Sequence, residues 1–595
     1  MSVFAERVEA FLAEYFRLHP LRATDVGEHA YDDRWPDLTE RGRAERLDFY
    51  DRWAAELGAM PDESLDRDER IDRDLLTLEL AAHRFAEVEL DELAWDVVAW
   101  AYLLGDGIFP LLAREFAPLP VRLASVAARL ETMPAVVDAA IASLVGSGGR
   151  PVPALHAETA LGQLPGITEL AMDAVAQAEA ATADPEVADL LPRLRAAAEL
   201  AAASVSRLEA HIRDVVIPAA EGDGRLGREL FEAKLGHTLM DPELPLERVL
   251  QRAEREYATV RAEMIRLAGQ LWQAMRPGEP RPTAESEGSQ AAADQRTVRL
   301  VLDAIAREHP AAEDLLEHCR EELGRIEAFV RERDLIPLPE EPLDIRWTPV
   351  FLRSFGGAML IPPGPLDRGQ RSYFAITPAP EDWTPERVES SLRESNDRQL
   401  RLLTIHEAVP GHYLQLAYSN RCPSLVRAIF GSGVFIEGWA VYVTQVMMDV
   451  GYGAEDPALM LAHWKFYLRG VINALIDARI HAYGMTEDEA VTLMVEGGFQ
   501  EEAEARNKYK RARLTSAQLS TYFVGSLAWW DIELERRRRD AEAAGVPDPQ
   551  AAVPDPPLVG GFGETPGFSY PRFLVEALDH GSPPTSLLRR IMFEG

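Results

Sequence analysis

Along most of the chain apolar residues recur three and four positions apart, the spacing that gathers side chains onto one face of an α-helix. Near the start Val8, Phe11, Leu12, Tyr15 and Phe16 follow it. Comparable runs span Arg41–Ala59, Asp72–Ala86, Val121–Leu144 and Pro192–Val215, with Pro and Gly interrupting the pattern between them. Arg276–Gln295, rich in Pro, Glu, Ser, Gly and Ala, reads as a solvated loop or linker. Residues 1–335 are therefore expected to form a helical lobe.

The texture changes between Pro337 and Pro380. Leu343–Trp347, Ala358–Ile361 and Tyr373–Ile376 are short apolar-rich runs bounded by Gly and Pro, the pattern of strands in a small sheet. Such a sheet offers either an edge to which an extended peptide adds or a hairpin that only covers the core. Helical signals return from Glu386 to Leu403, with Thr384 and Pro385 as cap and first position. Gly451–Ala458 reads as a loop and Ala462–Tyr483 as one long buried helix. Glu501–Arg513 is a charged helix expected to present a solvated face, and Thr515–Trp530 turns apolar. Arg536–Arg539 reads as a solvated helix end, Ala541–Phe568 as a Pro/Gly-rich loop over a cleft, and Phe573–Phe593 as a terminal helix pair. The fold class expected is mainly α: many helices, a small β-sheet, and a deep cleft between lobes 1–335 and 336–595 of one continuous unit.

Composition narrows this little. A length of 595 residues exceeds what one compact core usually holds, and 47% hydrophobic with 27% charged residues is ordinary for a globular chain. The net charge of −36 argues against nucleic acid or an anionic membrane as partner. Cys319 and Cys422 are expected to be buried reduced thiols rather than a disulfide framework. The first twenty residues lack the basic start and apolar core of a signal peptide, and no apolar run is long enough for a bilayer, so a cytoplasmic location is expected.

The candidate chemistry lies in Leu403–Gln415, which holds His406, Glu407 and His412. Imidazole suits a borderline-soft divalent ion such as zinc, and a Glu directly after the first His is placed to act on water at that ion. The histidines are six positions apart instead of the usual four. In an unbroken helix that separation rotates them by roughly 240° onto different faces. Pro410 and Gly411 are the residues that can bend the segment and return His412 to His406. A third ligand is needed, and Glu437, 25 residues downstream of His412 among apolar and small neighbours, is the candidate.

His406-Glu407-Ala408-Val409-Pro410-Gly411-His412-Tyr413-Leu414-Gln415 followed by Glu437-Gly438-Trp439-Ala440-Val441-Tyr442 resembles domain-of-unknown-function family 885. That family is bacterial, zincin-like and mostly helical, and is similar to neurolysin-like and carboxypeptidase-like zinc peptidases. The resemblance also covers Pro362-Pro363, Tyr373-Phe374, Pro378 and Trp383, then Asp477-Ala478-Arg479-Ile480-His481 with Gly484-Met485-Thr486. It continues through Gln518, Tyr522 and Gly525 to Leu578-Asp579-His580-Gly581-Ser582 and Leu587-Leu588, with echoes at Asp72-Arg73-Asp74 and Phe109-Pro110. One departure is Ser516-Ala517, where the family often has Pro-Gly.

The resemblance implies a zinc metallopeptidase acting on short peptides. His406, His412 and Glu437 hold Zn2+, Glu407 is the general base, and His481 and Tyr522 steady the oxyanion. From the residues alone, Asp477 and His481, one helical turn apart, are either such a site pair or a buried brace; the resemblance favours the former. Gln415 reads equally as a substrate holder or a structural cap. The alternatives are a hydrolase of a small non-peptide amide or ester, and a non-catalytic helical protein whose metal is structural.

Overall fold

The computed structural model describes residues 2–144, 149–349, 352–353, 357–554 and 561–594. The protein is mainly α, with one small mixed sheet. Val3–Leu18 is the first helix, and the five apolar residues that signalled it are all buried. Leu246–Met275 shows the same logic at greater length. Leu246, Val249, Ala253, Val260, Met264, Ala268 and Leu271 lie on its buried side, and it packs against Pro457–Tyr483. The latter is buried nearly all round, begins with the Asp456 side chain accepting from the Ala458 amide, and stops at left-handed Gly484.

Packing crosses residue 335. One hydrophobic core joins Val249–Ile336 to the helices that follow Leu402, and a second joins the helices Val3–Leu18, Pro20–Val26, Glu40–Gly58 and Arg67–Phe85 to Val426, Ile429, Phe430, Leu587 and Ile591. The sheet consists of β1 (Leu343–Trp347), β2 (Ala358–Ile361) and β3 (Ser372–Ile376) in the order β1-β3-β2. β3 is parallel to β1 and antiparallel to β2, with Phe374 opposite both Ile345 and Leu360. Phe374 and Ile345 bury into a cluster with Leu315, Cys319 and Leu400, which seats the sheet on the helices Leu315–Glu332 and Asp397–Glu407. Cys319 and Cys422 are both free and buried.

Several local expectations need correction. The 276–295 stretch is not all linker: Thr283 caps a short helix and Ser289 caps Gln290–Ile305, because Ser and Thr side chains satisfy free amides at helix starts. The 386–403 run is two helices, Pro385–Glu394 and Asp397–Glu407, separated where Asn396 caps the second. The solvated end at Arg536–Arg539 is also revised, since Arg537 is 2% exposed and its Nε donates to Glu533, 2.6 Å away. Of the Pro/Gly-rich 541–568 stretch, residues 555–560 lie outside the described residues, and Pro549–Ala552 is a short helix. No single helix among the described residues is long and apolar enough to cross a membrane.

The N-terminal helices hold the loop that follows β2. Arg114 donates to the carbonyls of Ile361, Pro362 and Arg371, closing the two ends of that loop. A Cβ at Gly364 would lie 2.3 Å from the carbonyl carbon of Val26, so the backbones touch there. His29 bridges the contact, with its ring nitrogens 2.8 Å from Asp32 and 2.9 Å from Asp367. Burial alone would lower its pKa, but the two carboxylates raise it to about 9. A folded value above the unfolded one of about 6.5 stabilises fully below about pH 6.5, and the gain disappears as pH rises through 9. With the ring 26% exposed, about 1–2 kcal/mol is expected after solvent screening. His29→Gln should therefore lower the thermal midpoint at pH 6, and the gap from wild type should close by pH 10.

Candidate metal centre

The centre begins where a helix fails. Asp397–Glu407 runs buried to Glu407 and stops, and His412–Ser419 starts a new helix after a gap of four residues. Across the gap the Gly411 amide donates to the Ile405 carbonyl at 3.0 Å and the Leu414 amide to Ala408 at 3.3 Å. Both bonds reach six residues back where an α-helix reaches four, so two extra residues are absorbed in a bulge. His406 and His412 consequently sit as residues four apart would, with ring centroids 4.7 Å apart. Gly411 is required by the close approach: a Cβ there would lie 1.9 Å from the His406 carbonyl oxygen. Trp439 supports the bulge by donating its indole N–H to the Pro410 carbonyl, 2.9 Å away.

Glu437 comes from the helix Gly433–Asp449, which crosses Ser520–Ala543 with backbones in contact. A Cβ on Gly438 would meet Gly525 Cα at 2.5 Å, and one on Gly525 would meet the Val434 carbonyl oxygen at 2.1 Å. That crossing fixes the residue before Gly438, which is Glu437, and brings in Tyr522, one turn before Gly525. Glu437 Oε2 lies 3.8 Å from His406 Nε2 and 3.4 Å from His412 Nε2. One ligand atom from each of the three residues falls within 4.8 Å of the others.

These separations are longer than hydrogen bonds and resemble the edge of a ligand tetrahedron, about 3.3 Å for an ion with bonds of about 2.0–2.1 Å. Glu437 Oε2 is buried without a hydrogen-bond partner among the described residues. Unpaired buried oxygen is costly, and a cation is what the donor set fits. Burial pushes His406 down to about 3, leaving its ring neutral and free to ligate. Burial opposes charge on His412 and Glu437 as well, but each stabilises the other's charged form. His412 is raised above its ordinary value and Glu437 held below its own.

Glu407 is buried beside His406, raised to about 7 by desolvation, and its Oε2 has no hydrogen-bond partner among the described residues. A cavity of about 630 Å³ opens onto His406, Glu407 and Tyr522. The Tyr522 ring lies 6.5 Å from that of His406, and its hydroxyl accepts from Arg511 at 3.2 Å and Gln518 at 3.3 Å. Arg511 also donates to Gln518 Oε1 at 3.1 Å, so the three form a closed set. Gln518 thus positions Tyr522.

The structure places His481 elsewhere. Its Nδ1 accepts from the Leu226 amide at 3.3 Å, its Nε2 donates to the Ala512 carbonyl at 2.8 Å, and its ring stacks on Phe231. With both nitrogens engaged and the cavity lined by other residues, it is not brought to the metal group. Asp477 accepts from the amides of Ala517 and Ser520 and from the Ser520 hydroxyl, organising the turn that launches the Tyr522 helix. Ala517 in that turn has a φ of 68°, the left-handed conformation a glycine takes without strain. Gln415 donates to Ser582 Oγ at 2.7 Å, tying the bulge to the C-terminal segment.

Sequence reasoning missed Arg511 and Lys508. They lie on Glu502–Thr515, expected to be a solvated face, yet Ala505, Lys508, Tyr509 and Ala512 are buried there. The three-residue spacing of Lys508 and Arg511 beside apolar positions was the available signal.

Residues 20–592 match the family described as "Bacterial protein of unknown function (DUF885)", and the chain belongs to that family. No curated protein matches it. A solved structure described as "a putative lipoprotein of unknown function" from Shewanella oneidensis is 29% identical, with a TM-score of 0.76 over 100% of both chains. Another, "the putative lipoprotein from Colwellia psychrerythraea", shares the fold at 16% identity and a TM-score of 0.73, covering 99% of this chain and 98% of its own. The expected cytoplasmic location is withdrawn on this finding. It rested on the lack of a signal-peptide pattern and of a long apolar run, and lipoproteins are held at membranes by acyl chains, which need no spanning helix.

If the bulge assembles the site, Gly411→Ala should weaken divalent-metal binding at least about 10-fold, because the new Cβ forces His412 away from His406. Metal titration of the demetallated variant, with circular dichroism to verify folding, reads this directly. Unchanged affinity would remove the bulge as the device that builds the centre.

Proposed function

We propose that this member of the DUF885 family is a zinc-dependent hydrolase of short peptides with a zincin-like centre. The observation that carries the reading is the three-residue group His406, His412 and Glu437 with the buried Glu407, whose Oε2 has no hydrogen-bond partner among the described residues, alongside a cavity. Structural zinc sites are closed by four protein ligands, whereas catalytic ones use three and leave a position open. Among the described residues the group has three members. Zinc held there would polarise a substrate carbonyl and make water acidic enough to react near neutral pH.

The chain's own residues then divide the work. Glu407, following His406 directly, accepts a proton from the attacking water and delivers it to the leaving amine. The water oxygen forms the new bond to the carbonyl carbon, the C–N bond breaks, and the second product is a carboxylic acid. Tyr522 donates to the carbonyl oxygen as negative charge develops, held in place by Arg511 and Gln518. β2 is an edge strand, and Gly357 and Ala358 at its start line the cavity, so an extended substrate can pair with it through its main chain. A volume of about 630 Å³ suits a peptide of a few residues and excludes folded proteins.

Glu407→Gln should keep zinc and lose at least about 100-fold in turnover of a short-peptide library read by mass spectrometry. Metal analysis of the same sample verifies loading. Undiminished cleavage by that variant would exclude Glu407 as the base, and absence of cleavage by zinc-loaded wild type would sink the peptidase reading.

A further inference from the structure

The cavity beside His406 gathers three basic side chains on one wall, with Glu394 and Glu504 also in its lining. In a chain of net charge −36, Arg469, Lys508 and Arg511 all line it. Glu394 is already claimed by Lys465 at 2.8 Å and by Arg469 at 3.6 Å, two cations for one carboxylate. Arg511 donates to the neutral groups of Gln518 and Tyr522, and its Nε is buried without a partner. Lys508 is 5% exposed, and among the described residues it has neither a hydrogen bond nor a carboxylate within ion-pairing distance. Burial lowers it to about 7, Arg469 and Arg511 adding to the shift and Glu504 and Glu394 opposing it, so its charged form is held where charge is unfavourable.

A buried unpaired ammonium is costly and is relieved by an anion that enters with the ligand. One cavity of about 630 Å³ is lined both by this cluster and by His406 and Glu407 of the candidate centre, so one small molecule can present the anion to the first and the bond to be cut to the second. For a peptide, the α-carboxylate is the anion always present at a fixed distance from the last amide. An acidic side chain meets that condition only in some sequences.

We propose that Lys508, flanked by Arg469 and Arg511, is a recognition subsite for the free C-terminal carboxylate of a short peptide, which directs cleavage to the carboxyl end. The identification of the bound molecule as a substrate rests on the peptidase reading above. The carboxylate preference itself does not, and binding tests it without turnover.

N-acetyl-dialanine is titrated calorimetrically as its free acid and as its C-terminal amide into zinc-loaded Glu407→Gln protein. A third probe, N-acetyl-aspartyl-alanine amide, carries its carboxylate only on a side chain. The free acid should bind at least about 10-fold tighter than either amide, and adding Lys508→Met should reduce that advantage to about twofold or less. Equal binding of the three probes overturns the subsite. Side-chain acid binding as tightly as the terminal acid overturns the C-terminal assignment, and an advantage that survives Lys508→Met removes Lys508 from it. Should Lys508→Met fail to fold by circular dichroism, the three-probe comparison decides alone. Acid preference without any hydrolysis by wild type would sink the peptidase reading while leaving the subsite standing.

Discussion

Everything at the centre depends on a helical hydrogen-bond ladder that skips two residues. Between Glu407 and His412 the amides of Gly411 and Leu414 bond six residues back, and this converts a six-residue separation into the geometry of a four-residue one. An uninterrupted helix would turn the two imidazoles to different faces. The bulge leaves Glu407 as the last residue of the first helix, buried beside the ligand group and open to the cavity. Gly411 permits the close approach to the His406 carbonyl, and the Trp439 indole holds the Pro410 carbonyl from outside.

A second constraint, the Gly438–Gly525 contact, works at the scale of whole helices. Without side chains at the crossing, two backbones meet and carry Glu437 and Tyr522 to the same place from segments far apart in sequence. Asp477 serves that arrangement from beneath by accepting three hydrogen bonds from the turn that starts the Tyr522 helix. Asp477 and His481 share a helix face yet bond to different partners, so spacing on one helix did not make them a working pair.

Charge is distributed against the average of the molecule. An acidic exterior aids solubility, while the cavity brings Arg469, Lys508 and Arg511 together in its lining. Lys508 and Arg511 make no direct ion pair among the described residues, although Glu504 lies near enough to favour the charge of both.

The sequence by itself determined the helical class, three strands, and the identity of the His406, His412 and Glu437 group. Those follow from local periodicity and from ligand chemistry, which need few distant contacts. It marked Pro410 and Gly411 as the point of bending, since their backbone limits are intrinsic. Tertiary structure alone decided that the bend closes the ligand group, through a ladder shift and a distant indole. It also decided that Arg537 and Lys508 are buried and that His481 is spent on backbone groups. Burial and partner choice depend on which helices come to lie alongside, and a charged residue reads the same in sequence whether it faces water or a cavity.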